Sequence, residues 1–454
     1  MVRETLILFT RFPVAGRAKT RLIARLGAEG AAQLQREMTE HALARVWPLV
    51  KRRGVDLEIR FEDGSAADMR RWLGSRLSYV PQGSGDLGER MSRASAGAFA
   101  AGAHAVVIIG ADCPELDASL VGRALDALRT NRLVFGPAKD GGYYLVGLNA
   151  AAAQVFESIP WSTSDVLSTS IVRAREIGVE AVLLPELSDV DGPADLEVWE
   201  KSSRMSRAVS VIIPTLNEAE RLPITLRHVA IIQPAEIIVA DGGSHDHTVG
   251  LAQFHGAKVA NCAANRAQQM NAGAAMARSE TLLFLHADTL LPETWHDAVL
   301  AALRQPDVVG GAFGFRIRDP FGGRWLIEST TNLRSRCWQM PYGDQALFVR
   351  RWAFDELGGF PDQPIMEDYE FVRRLRRLGK LALLNASVIT SGRRWHRLGF
   401  FRATLINKFM VLGYRCGVSP TTLAAFYRGK ARDSKPRPLN PEALSQSRRT
   451  NESV

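Results

Sequence analysis

Two aspartates stand at the ends of apolar runs that share one layout. Val106-Val107-Ile108-Ile109-Gly110-Ala111-Asp112 and Leu282-Leu283-Phe284-Leu285-His286-Ala287-Asp288 each pass from an apolar stretch through a small residue into a carboxylate, and a proline follows each within four residues. Continuous apolar runs bounded by turn signals read as strands buried on both faces of a parallel sheet. In such sheets ligands bind beyond the carboxyl ends of the strands. Asp112 and Asp288 are therefore expected at the mouths of two sites. Each would hold a divalent cation, Mg2+ or Mn2+, and a nucleotide diphosphate through carboxylate and phosphate oxygens.

Other polar residues collect around each aspartate. Before Asp112, the loop Thr10–Leu22 carries Arg11, Arg17, Lys19 and Arg21 around Gly16, a composition suited to cradling a triphosphate or pyrophosphate. It is not a Walker A loop, because Gly-Lys-Ser/Thr is absent. After Asp112 come Lys139-Asp140-Gly141-Gly142-Tyr143-Tyr144 and Asp189-Val190-Asp191. Asp112 with Asp191 makes a carboxylate pair of the kind that binds Mg2+ in nucleotidyl transfer; Asp189 and Asp191 also suit a turn and a helix cap. Around Asp288 there are three further groups. Pro214-Thr215-Leu216-Asn217-Glu218 ends the run Val209–Ile213, and Asp241-Gly242-Gly243-Ser244 ends another strand-like run. An acid there can bond a ribose or uracil while glycines admit the ligand to the backbone, although a plain turn has the same composition. Glu367-Asp368 opens a helical segment, where the dipole favours acids in any case. Arg393-Arg394-Trp395 offers cations for a diphosphate and an aromatic face for a sugar, or a basic loop with a packed tryptophan.

The elements that must position these residues fall into two sets. The chain has 454 residues, too long for one core. Alternating strand-like and helix-like segments run from Leu6–Phe9, through a helix over about 27–50, to about Trp199. Glu200–Arg207 is polar and without periodicity and reads as the linker. Val209 then opens a second series, followed by a helical apolar-and-basic region from Leu398 to Arg428. The expected division is 1–203, 207–428 and a disordered basic tail at 430–454. The fold class expected is α/β: two tandem GT-A-like, Rossmann-like domains with mostly parallel sheets.

The second half resembles the family-2 glycosyltransferases of the GT-A fold on Pro214-Thr-Leu-Asn-Glu218, Asp241-Gly-Gly-Ser244, Asp288 and Glu367-Asp368. Within them it is similar to the rSAM/selenodomain-associated transferase 2, or arsenosugar biosynthesis, subgroup through Tyr342-Gly-Asp-Gln345 and Ser391-Gly-Arg-Arg-Trp395. Relatives of that subgroup include 4,4'-diaponeurosporenoate glycosyltransferases. The resemblance implies inverting transfer from a nucleotide sugar, UDP-sugar favoured, to a small or lipidic acceptor. It assigns the base to Asp368, with Glu367 as competitor, the metal to Asp288, and the donor to Pro214, Thr215, Asn217, Glu218, Asp241 and Gly242. His286-Ala287-Asp288 replaces the common Asp-x-Asp, which leaves one carboxylate for the metal, completed by His286 or water. The first half resembles rSAM/selenodomain-associated transferase 1, related to the nucleotidyltransferases of molybdopterin synthesis. The matching residues are Ala18-Lys-Thr-Arg-Leu22, Gly110-Ala-Asp-Cys-Pro114, Asp140-Gly-Gly-Tyr-Tyr144 and Asp189-Val-Asp191. Arg11, Lys19, Arg21 and Asp140 are the phosphate-binding candidates, and Asp112 and Asp191 the metal ligands. The alternatives are that both halves are glycosyltransferases, or that the first is a non-catalytic nucleotide-sugar binding module.

Composition narrows the setting. Four scattered cysteines suit a reducing cytoplasm, and neither a signal peptide nor an 18-residue apolar run is present. From Arg393 onward 13 Lys/Arg face three acids, so this end carries +10 of the net +9 and the rest about −1. A solvated face and tail would account for it, as would peripheral attraction to an anionic inner membrane surface. No nucleic-acid recognition motif accompanies the charge, so nucleic acid is not an expected partner.

Overall fold

A computed structural model describes residues 3–232, 234–319, 322–393 and 400–432. The first sheet contains β1 (Glu4–Arg11), β2 (Asp56–Glu62), β3 (Ser78–Pro81), β4 (Ala105–Gly110), β5 (Leu133–Pro137), β6 (Tyr143–Leu148) and β7 (Ala181–Leu183). Its order is β3-β2-β1-β4-β6-β5-β7, and β6 alone runs antiparallel to its neighbours. The second contains β8 (Val209–Thr215), β9 (Glu236–Asp241), β10 (Lys258–Asn261), β11 (Thr281–Phe284), β12 (Thr289–Leu290), β13 (Val308–Ile317), β14 (Leu347–Arg350) and β15 (Lys380–Thr390). Its order is β10-β9-β8-β11-β14-β13-β15-β12. Apart from the two-residue β12 on the edge, this is the first topology again, with β14 as the antiparallel strand. The domain-scale echo in the sequence is thus a repeat of the whole α/β architecture.

The strands form where the sequence is apolar on both faces. Leu6, Ile7 and Leu8 of β1 and Val106 and Val107 of β4 are wholly buried, as are Val211, Ile212 and Ile213 of β8 and Leu282 and Leu283 of β11. β4 lies parallel to β1, and β11 parallel to β8. The loops that leave each pair therefore emerge at the same edge, where Asp112 and Asp288 lie.

Three boundaries differ from expectation. The first strand runs over Glu4–Arg11, and the helix after it spans Ile23–Arg53 with a break at Gly27 (φ 73°). The segment read as a linker is the end of a helix, Leu196–Arg207. Its polar residues hide the cause: Trp199, near its start, packs with Leu22, Leu34, Met38 and Val190 of the first domain. Only Ala208 separates this helix from β8. The two units also touch: Arg45 reaches Glu280 at 2.6 Å, Arg52 reaches Glu356 at 2.5 Å, and Gln305 donates to the Trp72 carbonyl at 3.1 Å.

The basic C-terminal region forms helices Phe400–Arg415 and Pro420–Arg432. Ile406, Met410 and Leu423 pack into the second domain, whereas Leu405, Phe409 and Leu412 are more than half exposed. Among the described residues no helix is long and apolar enough to cross a membrane. Arg394, Trp395 and residues 433–454, nearly all of the expected tail, lie outside the described residues.

Candidate active sites

In the first domain the backbone N–H of Val190 donates to the Asp112 carbonyl at 3.0 Å, which brings Asp191 beside Asp112 at the mouth of β4. Lys19 sits between the two. Its backbone takes the left-handed conformation (φ 48°, ψ 49°), and Nζ reaches Asp112 at 2.7 Å, Asp191 at 3.1 Å and the Val190 carbonyl at 2.7 Å. Burial alone would depress the Lys19 pKa, but the Asp112 and Asp191 carboxylates outweigh it and hold it above the usual lysine value. The lysine expected on phosphates is thus seated on the pair expected to hold a metal. Arg21 lies 3.5 Å from Asp191 and is largely exposed. Arg11 turns to Glu62 at 2.6 Å while still lining the cavity of about 560 Å³ in which Lys19, Asp112 and Asp191 meet.

Asp140 does not line that cavity. Its carboxylate accepts the Gly142 N–H at 2.8 Å and shapes the turn into β6. Asp189 is half-buried, and burial, then the charge of Asp140, pushes its carboxyl up to about 6. Gln82 and Arg90 also line the cavity, and no spacing signal marked them; Gln82 donates to the Thr10 carbonyl at 2.9 Å, and Arg90 binds Gln82 and Glu62 at 3.1 Å each.

In the second domain the ends of β8 and β9 clasp each other. Asn217 adopts a positive φ (55°), which asparagine tolerates better than most residues. Its N–H donates to Ser244 Oγ at 2.9 Å, and its side-chain oxygen accepts the His245 N–H at 2.8 Å. Asp241 is buried and accepts from Gly243 N–H (2.9 Å), Ser244 N–H (2.8 Å), Ser244 Oγ (2.5 Å) and Thr215 Oγ1 (3.2 Å). Its carboxylate is occupied in building the turn. A Cβ on Gly242 would lie 3.1 Å from both Ala264 and Gln269, so close packing explains this glycine. Glu218 donates its N–H to Thr248 at 2.9 Å and pairs with Arg221 at 3.2 Å. Pro214, next to Thr215, remains part of β8.

Arg393 joins this loop pair to the metal candidate, with its guanidinium 2.7 Å from Asp288 and 3.7 Å from Glu218. His286, Asp288, Glu367 and Asp368 line one cavity of about 530 Å³. Burial holds the His286 imidazole at about 3, with Arg266 acting in the same direction, so His286 is neutral at ordinary pH. Glu367 is buried, and burial, then the Asp368 charge, pushes it to about 7. Asp368 is less buried and accepts the Gly343 N–H at 2.8 Å. That bond explains why Tyr342-Gly343-Asp344-Gln345 belongs to the site: it anchors the Asp368 carboxylate in the cavity that Asp288 also lines. Arg266 also lines the cavity. Its sequence signal was a cation just after the cap Asn265, in the first helical turn where the dipole favours acids.

A single carboxylate fits a hard cation that takes its remaining ligands from phosphates and water. Among the described residues no group of three or more His, Cys, Asp or Glu is arranged to hold a metal, so a cation at the Asp112–Asp191 pair or at Asp288 would need further ligands from phosphates and water.

Comparison with known proteins matches these two units separately. The bacterial family known as an uncharacterized conserved protein (DUF2064) matches residues 46–163, and glycosyl transferase family 2 matches residues 210–358. A crystal structure assigned as a nucleotide-diphospho-sugar transferase, from Desulfovibrio desulfuricans G20, is 34% identical over 45% of this chain and 90% of its own length, with a TM-score of 0.42. S. aureus TarS 1–349 in complex with UDP-GlcNAc is 18% identical over 41% of this chain and 59% of its own, less than two thirds, with a TM-score of 0.36. Glucosyl-3-phosphoglycerate synthase from Mycobacterium tuberculosis, in complex with Mn2+, UDP and glucosyl-3-phosphoglycerate, is 18% identical over 48% of this chain and 82% of its own, with a TM-score of 0.37. Curated proteins gave no match.

Proposed function

Because the chain belongs to the nucleotide-diphospho-sugar transferases and joins a DUF2064 unit to a family-2 glycosyltransferase unit, we propose that its second domain carries out inverting transfer from a UDP-sugar to a small or lipidic acceptor. The observation that carries this reading is the shared cavity of Asp288 and Asp368. In one displacement, the acceptor oxygen bonds to the anomeric carbon as the bond to the diphosphate breaks. Asp368 takes the acceptor proton, held in place by the Gly343 N–H, and a base so positioned contributes about 10²–10⁴-fold. Pro214, Thr215, Asn217, Glu218, Asp241 and Gly242 form the donor side at the ends of β8 and β9 and the loops that follow; Asp241 acts by shaping its turn. Arg393 and Arg394 serve the leaving diphosphate, and Trp395 offers an aromatic face to the sugar or acceptor. When bound at Asp288, Mg2+ or Mn2+ supplies positive charge to that diphosphate.

The first domain is proposed as a nucleotidyltransferase-like unit, with Lys19, Arg21 and Arg11 on the phosphates and Asp112 and Asp191 as metal ligands. Its support is the cation-and-carboxylate cluster in the cavity beyond β4. The division is proposed to fall close to the expected 1–203 and 207–428, with the boundary at Ala208. The enzyme is proposed to act in the cytoplasm. The exposed Leu405, Phe409 and Leu412 face is proposed to give peripheral contact with an anionic membrane surface, a contact that sedimentation with anionic vesicles would reveal. The experiment for the main reading is a donor screen with Mg2+ or Mn2+: nucleoside-diphosphate sugars scored for diphosphate release. Release from no donor under either metal refutes it.

A further inference from the structure

A second cavity, of about 960 Å³, adjoins the one that holds Asp368. Tyr342, Tyr369 and Val411 line both, so they form a common wall. Behind that wall the lining is cationic: Arg334, Arg373, Arg376 and Arg415 face one acid, Glu370. Glu370 is already satisfied. Arg373 grips both of its oxygens at 2.8 Å, Arg374 binds at 2.7 Å, and the Tyr414 hydroxyl lies 3.2 Å away. Arg334 is held as well, 3.5 Å over the Tyr342 ring and bonded to the Met340 carbonyl at 3.0 Å. Arg376 and Arg415, by contrast, have no hydrogen-bonding or ionic partner among the described residues.

Gathering cations in a concave, partly aromatic site is unfavourable unless an anion joins them. Guanidinium groups match the geometry of carboxylates and phosphates, and the tyrosine wall suits an apolar or ring-bearing body. We propose that this cavity binds an anionic group of the acceptor, a carboxylate or a phosphate, through Arg376 and Arg415, while the Tyr342–Tyr369 wall leads the acceptor hydroxyl to Asp368. The proposal rests on the glycosyl-transfer reading and adds the chemical class of the acceptor.

Calorimetric titration of the full chain with octanoate, octyl phosphate and octanol tests it, alongside the Arg376→Ala/Arg415→Ala double variant and the Arg376→Lys variant. Both positions are exposed, so folding is expected to survive. The account expects at least one anion to bind about ten-fold or more tighter than octanol, because a charge-assisted hydrogen bond contributes about that much. The arm that binds tighter distinguishes carboxylate from phosphate. The double variant should lose the preference, and Arg376→Lys should keep part of it. Equal binding of octanol and both anions, or an unchanged preference in the double variant, overturns the proposal. Mn2+-dependent UDP binding is measured on the same samples. Wild-type UDP binding without anion preference refutes the acceptor class alone, whereas absent UDP binding refutes the transfer reading and this proposal with it.

Discussion

Lys19 and Arg393 both place a cation 2.7 Å from a strand-end aspartate, one in each domain, yet they hold it differently. The Lys19 side chain is 6% exposed and shared by two carboxylates and a carbonyl. The Arg393 side chain is 46% exposed and reaches Asp288 from the segment after β15. The first site therefore has its counter-charge built into the fold, and the second has it on a solvent-facing arm. An exposed contact of this kind is weak and easily exchanged for a metal or a diphosphate. A buried ammonium between two carboxylates has to be replaced by a ligand of comparable charge. The same topology thus yields one aspartate pair neutralised by a buried lysine and one aspartate whose counter-charge sits on a half-exposed arginine.

The comparison can be broken at several points. The largest expected effect is in turnover: Asp368→Asn should lower diphosphate release by about 10²–10⁴-fold while Mn2+-dependent UDP binding, followed by calorimetry, persists. Near-normal release, with loss in Glu367→Gln instead, would move the base to Glu367. Next comes stability. Lys19→Ala leaves two half-exposed carboxylates facing each other and is expected to cost about 1–3 kcal/mol, read from denaturant unfolding. Added Mg2+ should raise the melting temperature of this variant more than that of the wild type. A third effect depends on pH. The Glu367 carboxyl stands at about 7 in the fold against an ordinary 4.5, so the native state holds the extra proton, and stability should fall as pH rises from about 4.5 through about 7. Glu367→Gln should flatten that decline, and an unchanged profile would mean that Glu367 titrates normally. Smallest of all, Arg393→Ala should change stability by less than about 1 kcal/mol. A loss as large as that of Lys19→Ala would erase the contrast between the sites.

Much of this was legible in the sequence because it depends on local patterns. The buried parallel strands follow from runs such as Val106–Ile109 and Leu282–Leu285, and the positions of Asp112 and Asp288 follow from where those runs stop. The helix Leu196–Arg207 was not legible, because its one deeply buried aromatic, Trp199, docks on Leu22 and Met38, more than 160 residues earlier. Lys19 was recognised as chemically significant, but its partners were not. Its seat between Asp112 and Asp191 depends on the backbone bond from Val190 to Asp112, a contact between distant loops. Arg376 and Arg415 lie on separate helices and carry no spacing signal, and only the fold brings them to one cavity.

The measurement that bears most directly on the proposal of two active sites on one repeated topology is a crossed assay of the full chain with Mg2+ or Mn2+. Wild type, Asp112→Asn and Asp288→Asn are each tested for diphosphate release from nucleotide sugars and for pyrophosphate release from nucleoside triphosphates with sugar phosphates. The account predicts that Asp288→Asn abolishes only the first activity and Asp112→Asn only the second. Diphosphate release that survives Asp288→Asn, or that falls equally in both variants, would contradict it.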